Sequence, residues 1–149
     1  MTVNTYSPND VVLSIGEYIV TGWNTITVTR SDVTKMVRGI RGQNTRSVSL
    51  DTSCTISIEL LQTSTSNDVL SEIVDQDRMK QTGRLELQIR DTSGRSVLQS
   101  VNAYISNFPD ISYGAEIGTR TWIIQCLNAS YEVKGNEIPL LQTLLNVFK

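Results

Sequence analysis

The chain is 149 residues long with 39% hydrophobic residues, which suffices for one compact core and not for two. Its formal charge of -2, from 13 Lys and Arg against 15 Asp and Glu, gives no global attraction to nucleic acid or an anionic membrane, so any such contact is local. Histidine is absent, which removes imidazole bases, His-containing triads and the ordinary catalytic zinc sites.

The opening MTVNTYSPND has no basic region leading into an apolar run, so no signal peptide is expected. No stretch approaches the roughly 20 apolar residues of a membrane span, and synthesis and assembly in a cytoplasm are expected. Strands follow at 11–15 (VVLSI), 17–22 (EYIVTG) and 24–30 (NTITVTR), where apolar and polar residues alternate or apolar ones run together between turn residues.

The segment SDVTKMVRGIRGQNTRS, 31–47, has no dependable core pattern. It holds Lys35, Arg38, Arg41 and Arg46 with Gly39 and Gly42 against one acid, Asp32. Three readings compete: a glycine-arginine loop for a phosphate backbone, a solvated long hairpin, or an arm that crosses to another subunit. The arm is favoured because Met36, Val37 and Ile40 are apolar residues that a lone monomer must tuck away or leave wet. A short strand is expected at 46–50 (RSVSL).

CTISIEL, 54–60, sets Cys54, Ile56, Ile58 and Leu60 on one face against Thr55, Ser57 and Glu59 on the other. The rhythm then changes. After the polar turn 64–67, Val69, Leu70, Ile73 and Val74 fall on a helical stripe, with Ser66 or Asn67 as the expected cap and Asp68 in the favourable first turn. This helix, about 66–79, should end near Asp77 to Lys80, before Gly83, and cover an outer face or open end of a sheet.

RLELQIR, 84–90, alternates again, and DTSG at 91–94 is a hairpin signal into a long strand at 95–108. Strands at 120–127 (RTWIIQCL) and 129–135 complete an antiparallel, mainly β chain. Trp122 is in phase with Ile124 and Cys126, which points to core packing; Cys54 and Cys126 are expected as buried free thiols. Asn128-Ala-Ser130 matches a glycosylation acceptor by accident, without an export signal. The closing EIPLLQTLLNVFK has Ile138, Leu141, Leu144, Leu145 and Phe148 at helical spacing; a helix is slightly favoured over a strand, and the segment either folds back or docks on a neighbour.

No phosphate-binding glycine motif occurs, and Asp91, Asp110 and Glu116 are expected as solvated turn carboxylates. No cofactor, metal site or catalytic residue is expected. The wet sides of several strands are uncharged and polar (Thr55, Ser57, Ser100, Asn102, Thr121, Gln125), which suits either ordinary solvent or a water-filled bore; Arg84, Arg90 and Arg120 count against a uniformly acidic one.

Three stretches in this order, VVLSIGEYIVTGW (11–23), LLQTSTSNDVLSEIVDQD (60–77) and FPDISYGAEIGTRTWIIQC (108–126), resemble the tail tube proteins of contractile-tailed bacteriophages. The resemblance covers roughly 11–134. It implies one domain over 1–149: an antiparallel β-sandwich or barrel with one flanking helix, an inter-ring arm at 31–50 and a C-terminal extension at 135–149. It further implies hexameric rings stacked inside a contractile sheath, with sheath, baseplate and tail terminator proteins as partners and the tape measure protein and genomic DNA transiently in the bore. The implied location is the virion, after assembly in the host cytoplasm, with no membrane contact. The expected inter-subunit contacts are Lys35, Met36, Val37, Arg38, Ile40, Arg41 and Arg46 in the arm, Asp68 and Asp75 on the helix near a subunit boundary, and Leu141, Leu144 and Phe148 in the extension. Ile117 to Thr121 would lie at the entrance of a bore-forming strand. The competing readings are the tube of a tail-like bacteriocin or secretion machine, and a small β-barrel that binds single-stranded nucleic acid.

Overall fold

The computed structural model describes residues 3–81, 84–94 and 96–135. In chain order the strands are β1 (Val11–Ile15), β2 (Tyr18–Ile19), β3 (Trp23–Arg30), β4 (Thr34–Arg38), β5 (Asn44–Val48) and β6 (Cys54–Leu61). Helix α1 (Ser66–Lys80) comes next, followed by β7 (Leu85–Asp91), β8 (Val97–Ile105), β9 (Thr119–Leu127) and β10 (Ser130–Glu132).

The two most regular alternations lie side by side. β6 and β9 pair antiparallel from Cys54↔Cys126 to Leu61↔Thr119, and every second residue is buried: Cys54, Ile56, Ile58 and Leu60 beside Cys126, Ile124, Trp122 and Arg120. The sheet extends from this pair in the order β2-β1-β7-β8-β9-β6-β3, with β10 added to the first half of β8. Leu13 and Ile15 from one end of that order share a single core with Ile56, Ile58 and Trp122 from the other, so the sheet curls over on itself. Helix α1 lays Leu70 and Val74 into the same core. This is the mainly β architecture with one flanking helix that the alternations imply.

At two points the chain departs from its sequence pattern. Ser100, expected on the wet side, is 2% exposed, because the β7–β8 register shifts between Leu85↔Ala103 and Leu87↔Ser100. An extra residue in one strand inverts the inside–outside phase that follows. The Ser100 hydroxyl is accommodated by donating to the Leu127 carbonyl at 2.8 Å. Ser66 and Asn67 lie inside the helix instead of capping it. The cap position is Thr65, whose side chain makes no cap bond, while buried Ser66 accepts from the Thr21 amide at 2.9 Å and bonds the Tyr18 hydroxyl at 3.0 Å. A serine spent on tying the helix to the β2–β3 turn is unavailable for the helix's own amides. Gly22 sits in that turn at φ +73, where a Cβ would lie 2.7 Å from the Ser64 oxygen, so both backbone sign and space require glycine.

Cys54 and Cys126 are free, buried and directly opposite each other. Burial raises both thiol pKa values, and with Cys54 beside it Cys126 is pushed up from 9.0 to about 12. The folded state therefore keeps a Cys126 proton that the unfolded chain releases above about pH 9, and this share of stability is lost as pH rises toward 12. Urea titrations from pH 8 upward should show a shallower alkaline loss for Cys126→Ala than for the unaltered chain, although the variant starts less stable.

Candidate assembly surfaces

Between β3 and β6 the chain leaves the core as a β-hairpin. β4 and β5 form a two-stranded sheet of their own, in the register Met36↔Arg46 and Arg38↔Asn44. A Gly39–Gln43 turn closes the tip, with the Gly39 amide donating to the Gln43 carbonyl at 2.7 Å. Every residue from 31 to 50 is exposed; Met36 is 69% and Ile40 fully exposed. The base is fastened better than the blade. Asp51 accepts the Ser53 amide at 2.9 Å and the Ser31 hydroxyl at 3.4 Å, and the Ser53 bond is the main cause holding its carboxyl below the ordinary range. An isolated two-stranded hairpin is marginal in water, so this one calls for a surface to lie on.

At the other end of the sheet, β6 runs out into the turn before α1, and residues 106–118 return from β8 to β9. Between them opens a groove of about 560 Å³, lined by Asn67, Asp68, Phe108, Ile111, Tyr113 and Arg120 over a floor of Trp122. The Trp122 indole N–H donates to Asn67 Oδ1 at 2.9 Å, and Asn67 Nδ2 donates to the carbonyls of Leu61 at 3.0 Å and Ser64 at 3.1 Å. One side chain thus joins β9, the end of β6 and the helix start. The Phe108 ring lies 6.1 Å from that of Trp122.

Arg120 is the unusual member. Its side of β9 is the dry one and the residue is 8% exposed, yet among the described residues it has no carboxylate partner. It donates through Nη1 to the Thr119 carbonyl at 3.0 Å and the Ser112 carbonyl at 3.4 Å, and its guanidinium lies 5.3 Å from the Tyr113 ring centre. The rim is apolar and wet: Ile111 is 68% and Tyr113 80% exposed. Exposed Asp68 lines the groove, and Asp110 and Glu116 are exposed in the 106–118 loop.

The third surface is the wet face of β3, β6 and β9. Its registered rows are Thr25↔Glu59↔Thr121, Thr27↔Ser57↔Ile123 and Thr29↔Thr55↔Gln125↔Tyr104. Thr55 donates to Gln125 across the strands at 2.9 Å. Glu59 is the one charge in these rows. Of the arginines set against a uniform bore, Arg120 faces the core and Arg90 is on β7, outside the three strands, but exposed Arg84 lies beside Tyr104 and Leu127 at the margin of this face.

All seven arm residues, Lys35, Met36, Val37, Arg38, Ile40, Arg41 and Arg46, sit together on the exposed hairpin. Asp68 borders the groove and Asp75 lies on the exposed side of α1. Leu141, Leu144 and Phe148 lie outside the described residues. Sequence reasoning missed the groove. Its trace is the run of apolar residues Phe108, Ile111, Tyr113 and Ile117 in a turn-rich stretch where a loop has no use for them. Among the described residues no group of three or more His, Cys, Asp or Glu is placed to hold a metal, and no helix is long and apolar enough to cross a membrane.

The fold is similar to that of chains in three solved particles. A chain of the anti-feeding prophage tube-terminating cap matches with a TM-score of 0.62 at 11% identity, over 89% of this chain and 94% of that one. A chain of the PVC sheath–tube complex, an extracellular contractile injection system in the extended state, gives 0.61 at 10% identity, over 86% and 91%. A chain from the virion of a native gene transfer agent gives 0.59 at 10% identity, over 87% and 100%. In sequence the chain is 32% identical over 146 residues to structural protein ORF10 of Pseudomonas phage KPP10, covering 90% of this chain and 84% of the relative. The chain belongs to the family of this phage structural protein and has the fold of those three particle chains. No family model matches it. As a member of that phage structural-protein family it is a structural subunit and not an enzyme.

Proposed function

We propose that the protein builds the inner tube of a contractile phage tail, as hexameric rings stacked inside a sheath, and that genomic DNA passes through the bore during ejection. The observation that carries this reading is the registered, hydroxyl-rich face of β3, β6 and β9 with Glu59 as its one charge. Such a wall stays hydrated, and with no lysine or arginine in its registered rows and Arg84 only at its margin it holds a passing polyanion weakly. The outer side of β3 has no strand partner among the described residues, and a lateral neighbour would cover that open edge. A rotation that closes gives a ring.

In this reading the β4–β5 hairpin, with Lys35, Met36, Val37, Arg38, Ile40, Arg41 and Arg46, is the inter-ring arm. Asp68 and Asp75 lie near a subunit boundary on the outside, and the 135–149 extension, with Leu141, Leu144 and Phe148, adds a further contact. The sheath lies outside, baseplate and terminator proteins bind the two ends, and the tape measure protein precedes DNA in the bore. The location is the virion, after assembly in the host cytoplasm. The tube of a DNA-free tail-like particle is the second reading, favoured by the fold likeness to the anti-feeding prophage and PVC chains. Phage ancestry in the 32% identical relative weighs for the first.

Negative-stain microscopy of the purified protein across a concentration series tests the structural role. Hollow tubes are the expected result. A persistent monomer that binds single-stranded DNA with a salt-dependent affinity would replace the tube reading with a binding-module one.

A further inference from the structure

The Trp122 groove opens beyond the row Leu61↔Thr119, and a second, smaller cleft lies toward the other end of the strands, near the row Arg30↔Cys54↔Cys126. There the start of β1, the later halves of β3 and β7, the start of β8 and β10 meet around about 240 Å³ of open space. Val11, Val28, Ile89, Val97 and Tyr131 wall it, and Val133, 75% exposed, forms the lip. Val28, Ile89 and Tyr131 pack against the buried core, so at this cleft the core reaches the surface. The two acids on the rim are engaged already: Asp91 accepts the Ser93 amide at 3.0 Å, and Glu132 pairs with Lys134 at 3.4 Å.

Arg30 stands beside this cleft. It follows Val28 by two residues on β3 and holds its guanidinium 5.9 Å from the Tyr131 ring centre. Among the described residues its Nε is buried without a hydrogen-bond partner, and no carboxylate lies within ion-pair distance of it. Asp51 feels the Arg30 charge but is turned to Ser53 and Ser31. A buried donor on a charged group is costly to leave unmade, so this one calls for an acceptor.

The chain carries an acceptor and a plug just past the point where it leaves the cleft. Lys134 is held at the rim by Ser96, which accepts its amide at 2.9 Å and donates to its carbonyl at 2.9 Å. Three residues on comes Glu137, the one acid from 133 to 149, and then Ile138 ahead of Pro139. Three residues span at most about 11 Å, which brings the Glu137 carboxylate to the cleft and not to the far groove. Proline after Ile138 favours an extended backbone there, suited to lying across an opening. We propose that the start of the C-terminal segment, residues 136–140, folds back over the cleft of its own subunit, with Glu137 accepting from the Arg30 Nε–H and Ile138 lying against Val11, Val28 and Ile89. The lid closes the core at the end from which the β4–β5 hairpin departs. It also anchors the point from which Leu141, Leu144 and Phe148 continue toward the contact proposed for them above. The lid involves one subunit and does not depend on the tube reading.

The test is the whole chain carrying Val11→Cys and Ile138→Cys, treated with oxidised glutathione at low protein concentration beside the unaltered chain, whose Cys54 and Cys126 are buried. A monomer that has lost two thiols relative to that control, in a yield independent of concentration, is expected. Links formed only between copies and rising with concentration place the segment on a neighbour and overturn the lid, as does a folded monomer whose new thiols stay unlinked. A second variant needs no cysteine. Glu137→Gln should lower the folded-to-unfolded ratio about fivefold in urea titrations and be silent on an Arg30→Gln background. In nitrogen-15 NMR spectra the Arg30 Nε–H should exchange slowly with water in the unaltered chain and fast in Glu137→Gln. Equal effects of Glu137→Gln on both backgrounds, or an Arg30 signal indifferent to it, overturn the pair and the lid with it.

Discussion

Excising residues 33–49 and bridging the gap with a short Gly-Ser turn should leave a folded monomer that no longer forms tubes. None of the deleted residues is buried, and the core cluster draws on none of them. Arg30 and Cys54 are cross-strand partners, so their backbones already lie about 5 Å apart and a few residues close the loop. Shortening a surface loop changes closure entropy by well under ~1 kcal/mol, a shift of a few degrees at most in the thermal midpoint for a chain of this size. Assembly has no such tolerance, because the excision removes four cations and the apolar groups between them in every copy. Circular dichroism melts and negative-stain images of the same sample decide the matter. A collapsed melt would make the hairpin part of the fold, and persisting tubes would remove it from the contacts.

Trp122→Ala should be the most destabilising single change, with a cost of about 3–5 kcal/mol in urea unfolding. The side chain is 1% exposed, fills the centre of the β6–β9 face and floors the groove. Whole domains hold only about 5–15 kcal/mol in reserve, so the variant approaches the edge of folding. Trp122→Phe separates packing from the polar link. It keeps a ring but removes the N–H bonded to Asn67 at 2.9 Å, with an expected loss of about 1–2 kcal/mol. Asn67→Ala breaks the same bond and two carbonyl links besides, and should cost at least as much. In a double-mutant cycle the two losses should fall short of adding, since the second change finds the shared bond already gone.

Legibility followed the number of solvents each residue meets. β6 and β9 were plain in the sequence because each has one dry face and one wet face, so period two is written in full from Cys54 to Leu60 and from Arg120 to Cys126. β4 left no such mark. Thr34 to Arg38 is exposed on both faces, and a strand with no inside has no alternation to display. Ser100 was placed on the wrong side because a bulge moves the phase without any residue type announcing it. The helix was found from Leu70 and Val74, but its start was misread: Ser66 and Asn67 look like caps, and only the fold brings Tyr18, Thr21 and Trp122 to them. The groove was invisible for a similar reason. Its walls come from the turn after β6, the start of α1, β9 and the 106–118 loop, and the residues each contributes look ordinary alone.

The alternation in β6 and β9 has one more consequence. Stability and the chemistry of the exposed sheet face are written on interleaved positions that never share a residue: Ile56, Ile58 and Ile124 serve one, Thr55, Ser57 and Gln125 the other. A lineage can therefore revise the wet set, making that face more acidic, more polar or slimmer by a methyl group, while the dry set continues to specify the same backbone. Descendants of such a chain are free to keep the scaffold and change the chemistry of that face, and sequence divergence between relatives should concentrate on every second residue of these strands.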